Sequence, residues 1–282
     1  MLRFIGLAAL PLLSWSSPQE AGPCRLASSI TITTGILICL SLATWTGTPY
    51  HNKICDGDWH TYCPPGVFPA TACQLFHNRG DGTSEDVTER SGLTAKKGKA
   101  LGVAFADYDG DGFTDIFVSN DGMQQYLFHN NGDGTFTECA LESGVALTSD
   151  GKGLSGMGTV FQDYDNDGRP DVLVTVLPRE IYGLYHNEGG GAFNYASLET
   201  GLGALTSGSS GWGAGLEDFD NDGWKDLFVA QRHVLDNVQQ IDASLRYKEL
   251  PLRAMNHDGH FERADSGVTT PLAARCGVWR HQ

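Results

Sequence analysis

From residue 75 onward the sequence repeats itself, and a repeat of this length limits the chain to folds in which one small supersecondary unit stacks on the next. Leu75-Phe76-His77-Asn78 returns as Leu127-Phe128-His129-Asn130, as Leu184-Tyr185-His186-Asn187, and more faintly as Ala254-Met255-Asn256-His257. Each introduces a Gly- or Asp-rich turn: Gly80-Asp81-Gly82, Gly132-Asp133-Gly134, Gly189-Gly190-Gly191 and Asp258-Gly259. A Ser-Gly or Thr-Gly pair follows at Ser91, Ser143, Thr200 and Ser266, and acidic runs begin at Asp107, Asp163 and Asp218, 56 and then 55 residues apart.

Within one unit, Val103–Ala106 leads into the acidic run, Ile116–Val118 leaves it, Tyr126–Phe128 enters the Gly turn and Thr135–Thr137 leaves that. These are four short stretches rich in β-branched and aromatic residues, separated by turn chemistry. Four antiparallel strands per repeat describe a propeller blade packed face to face on its neighbours. A helical solenoid is excluded because the 3.6-residue periodicity is missing. The fold expected is all-β: a partial, open β-propeller of about three to four four-stranded blades. One stretch looks helical, Asn237 to Leu252, and is expected as an excursion between the third and fourth units.

The acidic runs share one frame. Asp107, Asp109, Asp111 and Asp115 occupy the first, third, fifth and ninth places of the first run, Asp163, Asp165, Asp167 and Asp171 those of the second, and Asp218, Asp220, Asp222 and Asp226 those of the third. Alternate places in a tight loop point inward together, and the glycine at the sixth place (Gly112, Gly168, Gly223) permits the sharp turn. The seventh residue (Phe113, Arg169, Trp224) can add its carbonyl. That donor set suits a hard cation, Ca²⁺ above all, at about three sites. Carboxylates about 4 Å apart repel by roughly 4 kcal/mol per pair at an effective dielectric near 20, so a loop without its ion should be loose. An EF-hand would carry Glu at the twelfth place, where Val118, Val174 and Val229 stand. The bland reading, solvated acidic hairpins, loses ground because three runs share one frame.

The pattern resembles the FG-GAP repeat, also called the VCBS repeat, of integrin α-subunit propellers and bacterial exported proteins of the ASPIC/UnbV type, including relatives of cartilage acidic protein. It covers about residues 74 to 270, and its Phe-x-Asp-Tyr/Phe-Asp-x-Asp-Gly and His-Asn-x-Gly-Asp-Gly-Thr-Phe motifs occur in register. The resemblance implies that the fifteen residues just named (twelve Asp with Phe113, Arg169 and Trp224) ligate Ca²⁺ between two strands of each blade, and that the protein serves in binding or adhesion. Propellers close with four to eight blades. A fourth acidic run would fall between positions 282 and 286, Leu272–Gln282 lacks the approach to one, and residues 1–73 carry no visible blade pattern. An open arc exposes sheet faces, so self-association through them is expected.

The N-terminal region bears on location. Arg3, the apolar stretch Phe4–Leu13 and the small residues Ser14, Ser16 and Ser17 have the order of a secretory signal, placed at residues 1–16. Residues 17–73 form a Cys-containing segment in which 26–50 carry no charge and are long enough to span a bilayer, although Thr and Ser weaken that reading in favour of a strand-forming or poorly ordered segment. Blades occupy 74–282. With Arg3 and Arg25 on the N-terminal side, either reading leaves the remainder outside. The seven cysteines are an odd number, and Cys55, Cys63 and Cys73 among His51, His60 and His77 lack paired zinc knuckles, so disulfides or free thiols are preferred to zinc.

Lys plus Arg number 19 against 34 Asp plus Glu, a formal charge of −15 that would repel a phosphate backbone, so no nucleic-acid partner is expected. No catalytic or cofactor-binding residue is assigned: Gly153–Met157 is not a nucleophile elbow, Gly92–Ala100 lacks the Ser or Thr of a phosphate loop, and the repeated histidines cannot converge on one substrate. Arg79-Gly80-Asp81 belongs to the repeat turn. The expectation is a secreted or cell-surface, non-enzymatic Ca²⁺-binding module for a protein or glycan ligand. Alternatives are a carbohydrate-binding module in which Trp212 or Trp224 stacks on a sugar, an accessory domain of a secreted hydrolase, or a thrombospondin-like Ca²⁺ array with little core.

Overall fold

The computed structural model describes residues 25–31, 37–43, 65–81 and 83–264. Four antiparallel four-stranded meanders follow one another along the chain. The first is β1 (Arg25–Thr31), β2 (Leu37–Ala43), β3 (Gln74–Asn78) and β4 (Ser84–Asp86). The second is β5 (Ala100–Ala106), β6 (Asp115–Met123), β7 (Tyr126–Asn130) and β8 (Phe136–Glu138), with the short β9 (Leu154–Ser155) added to β6. The third is β10 (Thr159–Gln162), β11 (Asp171–Val174), β12 (Gly183–Gly189) and β13 (Ala192–Tyr195); the fourth is β14 (Gly211–Glu217), β15 (Asp226–Gln231), β16 (Leu252–His257) and β17 (His260–Arg263). The leading strands lie against one another, β5 on β10 and β10 on β14, as in a propeller. Among the described residues the run of blades is open.

Each second strand reads as an apolar run after its aspartate, Ile116-Phe117-Val118, Val172-Leu173-Val174 and Leu227-Phe228-Val229; the first two are fully buried because their blades lie between two others, whereas Phe228 of the outer blade is only half-buried. Alternation divides the faces. Ile116 and Val118 join the core shared with Leu75, Val87 and Leu93 of the first unit, whereas Phe117 joins Phe161 and Phe193 of the third blade. Close approach at the centre requires glycine: a Cβ on Gly158 would lie 1.9 Å from the Trp212 carbonyl oxygen.

Two expectations change. The repeat is visible only from residue 75, but β2 pairs with β3 through Cys39–Phe76, Leu40–Leu75 and Ser41–Gln74, so the first blade draws strands from within the 26–50 stretch. Its first two strands enclose residues 32–36, Ile-Thr-Thr-Gly-Ile, with no carboxylate to mark them as blade-like. No helix among the described residues is long and apolar enough to cross a membrane. Residues 1–16 and 265–282 lie outside the described residues, and with them the expected signal sequence and the expected approach to a fourth acidic run. The expected helix at Asn237–Leu252 is one turn only, Val238–Ile241, and it lies inside the fourth blade between β15 and β16. Val238 is buried but Ile241 and Leu250 are exposed, so one apolar side chain alone anchors the turn and the pattern does not sustain a longer helix.

Candidate metal centres

Each acidic run is the loop joining the first and second strands of its blade, β5 to β6, β10 to β11 and β14 to β15. The fourth residue of each adopts left-handed backbone, supplied by Gly110, Asn166 and Asn221, and the sixth is a glycine at φ 88° to 94° or so, at Gly112 (89°), Gly168 (88°) and Gly223 (94°). The chain therefore curls around its first aspartate. Asp107 accepts N–H bonds from Gly110 (2.8 Å), Asp111 (3.1 Å) and Gly112 (2.9 Å), and Asp218 accepts the matching set from Asn221, Asp222 and Gly223. Asp163 keeps the Gly168 bond at 3.1 Å, while its buried Oδ1 has no hydrogen-bond partner.

The ninth aspartate anchors the loop to the sheet. Asp115, Asp171 and Asp226 are fully or almost fully buried. One oxygen takes the N–H of the loop's second residue (Tyr108, Tyr164, Phe219) and the other that of a third-strand asparagine (Asn130, Asn187, Asn256), all at 2.8 to 3.1 Å. Burial pushes Asp115 up to about 6 and Asp171 up to about 7 against these donors, with the neighbouring carboxylates of Asp109 and Asp165 acting in the same direction. A bound dication would oppose that shift.

The carboxylates converge. Oxygens of Asp107, Asp109 and Asp115 lie within 4.8 Å of one another, as do those of Asp163, Asp165 and Asp167 and those of Asp218, Asp220 and Asp226. Asp111 and Asp222 spend one oxygen on the N–H of Phe113 and Trp224, both at 2.8 Å. Arg169, at the same place in the second run, donates its N–H to Asp167, pairs with that carboxylate through its guanidinium and reaches the Asn187 carbonyl. Phe113 lays its exposed ring against Gly132.

Successive loops are tied across the blade boundaries. Asn187 Nδ2 donates to Pro170 O of its own blade (3.0 Å) and to Tyr108 O of the preceding loop (2.8 Å); Asn256 repeats this with Lys225 O (3.0 Å) and Tyr164 O (2.7 Å). Lys225 Nζ reaches Asp163 O and Asn166 Nδ2 reaches Gly223 O. Tyr108 packs on Phe193 and Tyr164 stacks on Phe261, each ring from the next blade. Phe219, the equivalent residue of the last blade, is 44% exposed.

The sequence reading missed two residues of these centres. His129 Nδ1 lies 3.3 Å from Asp109 Oδ2 and 3.4 Å from Asp115 Oδ1, and His186 Nδ1 lies 3.2 Å from Asp165 Oδ2 and 3.3 Å from Asp171 Oδ1. The repeated His-Asn pair was the signal, since both residues recur with the acidic run. The faint fourth copy is one residue out of register. Leu227 pairs with Ala254 as Ile116 pairs with Phe128, so Met255 occupies the histidine place and Asn256 the asparagine place. His77 belongs to the blade without an acidic loop. In the turn beyond it, Arg79 pairs with Glu85 and Asp81 accepts from Thr83, which occupies the Arg-Gly-Asp side chains locally. Trp212, 37% exposed, donates its indole N–H to Arg232 O. Cys73, buried, has its thiol pushed up to about 12 by burial, and no partner for a zinc site falls among the described residues around it.

A family model of the FG-GAP-like repeat matches residues 68–118 and 107–174, the span that contains the first two loops. Cartilage acidic protein 1 of Homo sapiens is 32% identical over 96 residues, and that of Mus musculus 31% identical over 99, each alignment covering 34% of this chain and 14% of the relative. The matched part of the chain thus spans about a seventh of the length of these curated relatives. A solved Agrocybe aegerita lectin, described as recognising non-reducing terminal N-acetylglucosamine, superposes with a TM-score of 0.40 at 16% identity, over 84% of this chain and 50% of that one. The Photorhabdus luminescens Tc holotoxin pore does so at 0.32 and 14%, over 90% and 10%. Neither superposition is close enough to bear on function. Residues 68–174 of this chain thus match the FG-GAP-like repeat, and a third of the chain is similar in sequence to cartilage acidic protein 1.

Proposed function

We propose that the chain is an extracytoplasmic, non-enzymatic binding module whose blades are held in place by Ca²⁺ in the three acidic loops. The observation that carries this reading is the convergence of three or more carboxylate oxygens in each of three loops built alike. The orphaned Asp163 Oδ1 fits a ligand atom awaiting a cation, and a donor set made mostly of carboxylate oxygens fits a hard dication. Asp107, Asp109, Asp111 and Asp115, with their counterparts, would hold the ion, which supplies positive charge where the carboxylates crowd. The chain itself orients these groups through the loop N–H bonds and transmits the loop's position to the next blade through Asn187, Asn256 and Lys225. The ion's role is accordingly structural.

The binding role follows from what the blades leave open. The fourth blade presents Phe219 to solvent where the second and third each bury a tyrosine against the blade that follows. A protein or glycan ligand at the cell surface, or a second copy of the chain, would be received on such faces. The test is thermal unfolding with millimolar Ca²⁺ and with EDTA. A ligand at a hundred times its Kd adds about 2.7 kcal/mol per site, so the melting temperature should rise by several degrees, and less in Asp109→Ala and Asp165→Ala. A melt that EDTA leaves unchanged refutes the reading.

A further inference from the structure

The three centres differ in one donor. In the second and third blades an imidazole nitrogen stands beside the carboxylates; in the fourth, Met255 takes its place. Both Nδ1 atoms are buried and make no hydrogen bond. Each sits nearly equidistant from two carboxylate oxygens, 3.3 and 3.4 Å for His129 and 3.2 and 3.3 Å for His186. Neither contact has the direction of a hydrogen bond at the ring nitrogen. Donor atoms about 3 Å apart are instead what neighbouring ligands of one ion show when metal–nitrogen and metal–oxygen bonds are close to 2.1 Å. The rings are held in this pose by the tyrosine of the same loop, Tyr108 edge-on to His129 and Tyr164 edge-on to His186, both at 6.1 Å between centroids. His257, in the fourth blade, approaches only Asp222, at 3.1 Å, and is 60% exposed.

Imidazole is a poor ligand for Ca²⁺ and a good one for first-row dications, whereas carboxylate accepts both. We infer that the centres of the second and third blades, through His129 and His186, accept a first-row dication in competition with Ca²⁺, Mn²⁺ being the paramagnetic probe, more readily than the all-oxygen centre of the fourth blade does. This rests on reading the acidic loops as metal sites and adds a difference among them that the carboxylates alone do not supply.

The experiment uses the whole chain, stripped with EDTA and loaded with Mn²⁺ in the presence and absence of Ca²⁺, followed by electron paramagnetic resonance. Spin-echo spectra should show nitrogen modulation from imidazole on two ions that Ca²⁺ displaces poorly and none on the third. The double variant His129→Gln/His186→Gln should lose the modulation and at least about tenfold in preference for Mn²⁺ over Ca²⁺, while still binding Ca²⁺. Met255→His should create a third nitrogen-coordinated site, a gain that misfolding cannot imitate. Three bound ions with no nitrogen modulation, or a double variant indistinguishable from the parent, overturns the inference and leaves the Ca²⁺ reading intact. Failure to bind either ion at millimolar concentration overturns both.

Discussion

Replacing Asn187 with alanine isolates what joins one blade to the next. The side chain is fully buried; its Nδ2 donates to Tyr108 O across the blade boundary and to Pro170 O within the blade, and its Oδ1 accepts the Gly189 N–H at 2.9 Å. Truncation removes three hydrogen bonds of about 1 kcal/mol each and leaves two carbonyls without this donor in a space closed to water, so a loss of about 3 to 4 kcal/mol is expected. Asn130 is the internal control. It makes the same two bonds within its blade, to Thr114 O and from Gly132 N–H, and among the described residues it donates to no neighbouring blade, so Asn130→Ala should lose about 1 to 2 kcal/mol. The difference of about 2 kcal/mol is the boundary contribution. Urea unfolding of both variants under saturating Ca²⁺, with the slope compared as well as the midpoint, measures it. Hydrogen exchange should also accelerate in both the 107–115 and the 163–171 loops of Asn187→Ala, but only in the 107–115 loop of Asn130→Ala. Equal losses in the two variants would refute the idea that the loops are coupled through this asparagine.

Asp121, on β6 away from the metal loops, is pushed up to about 6 by burial and then by Glu180. A carboxyl raised above its unfolded value destabilises the fold as pH rises between about 4 and 6, so Asp121→Asn should be more stable than the parent by about 1 kcal/mol at pH 7.5, after allowance for residual solvent screening, and equal to it near pH 4. A gain that does not change between these pH values counts against the assignment. Gly158→Ala should lose at least about 2 kcal/mol by denaturant titration, since its Cβ would collide with the Trp212 backbone between two blades; an unchanged midpoint means the blades are less tightly joined than described. Light scattering across protein concentration should reveal self-association that Phe219→Asp reduces, and a strictly monomeric parent argues against docking through that face.

The acidic loops and most strands of the last three blades are legible in the sequence because they are local. Asp at alternate places, a glycine or asparagine free to turn left-handed and an apolar run after the ninth residue specify hairpin and strand without reference to anything distant. The first blade is not legible, since residues 25–43 carry no acidic loop and their pairing with β3 spans a long insertion. Nor is the short Asn237–Leu252 excursion, where helix-like spacing buries Val238 and leaves Ile241 and Leu250 exposed.

What the sequence determined by itself, then, is the blade as a unit and the carboxylates it gathers at one hairpin. Only the tertiary structure decided that histidines of the third strand enter two of those centres, that Met255 replaces them in the other, and that Asn187 and Asn256 each hold the loop of the blade before. The physical reason is range: a turn is fixed by the backbone freedom of a few neighbours, whereas a donor arriving from another strand or blade is placed by sheet register and by how closely glycine lets the blades approach.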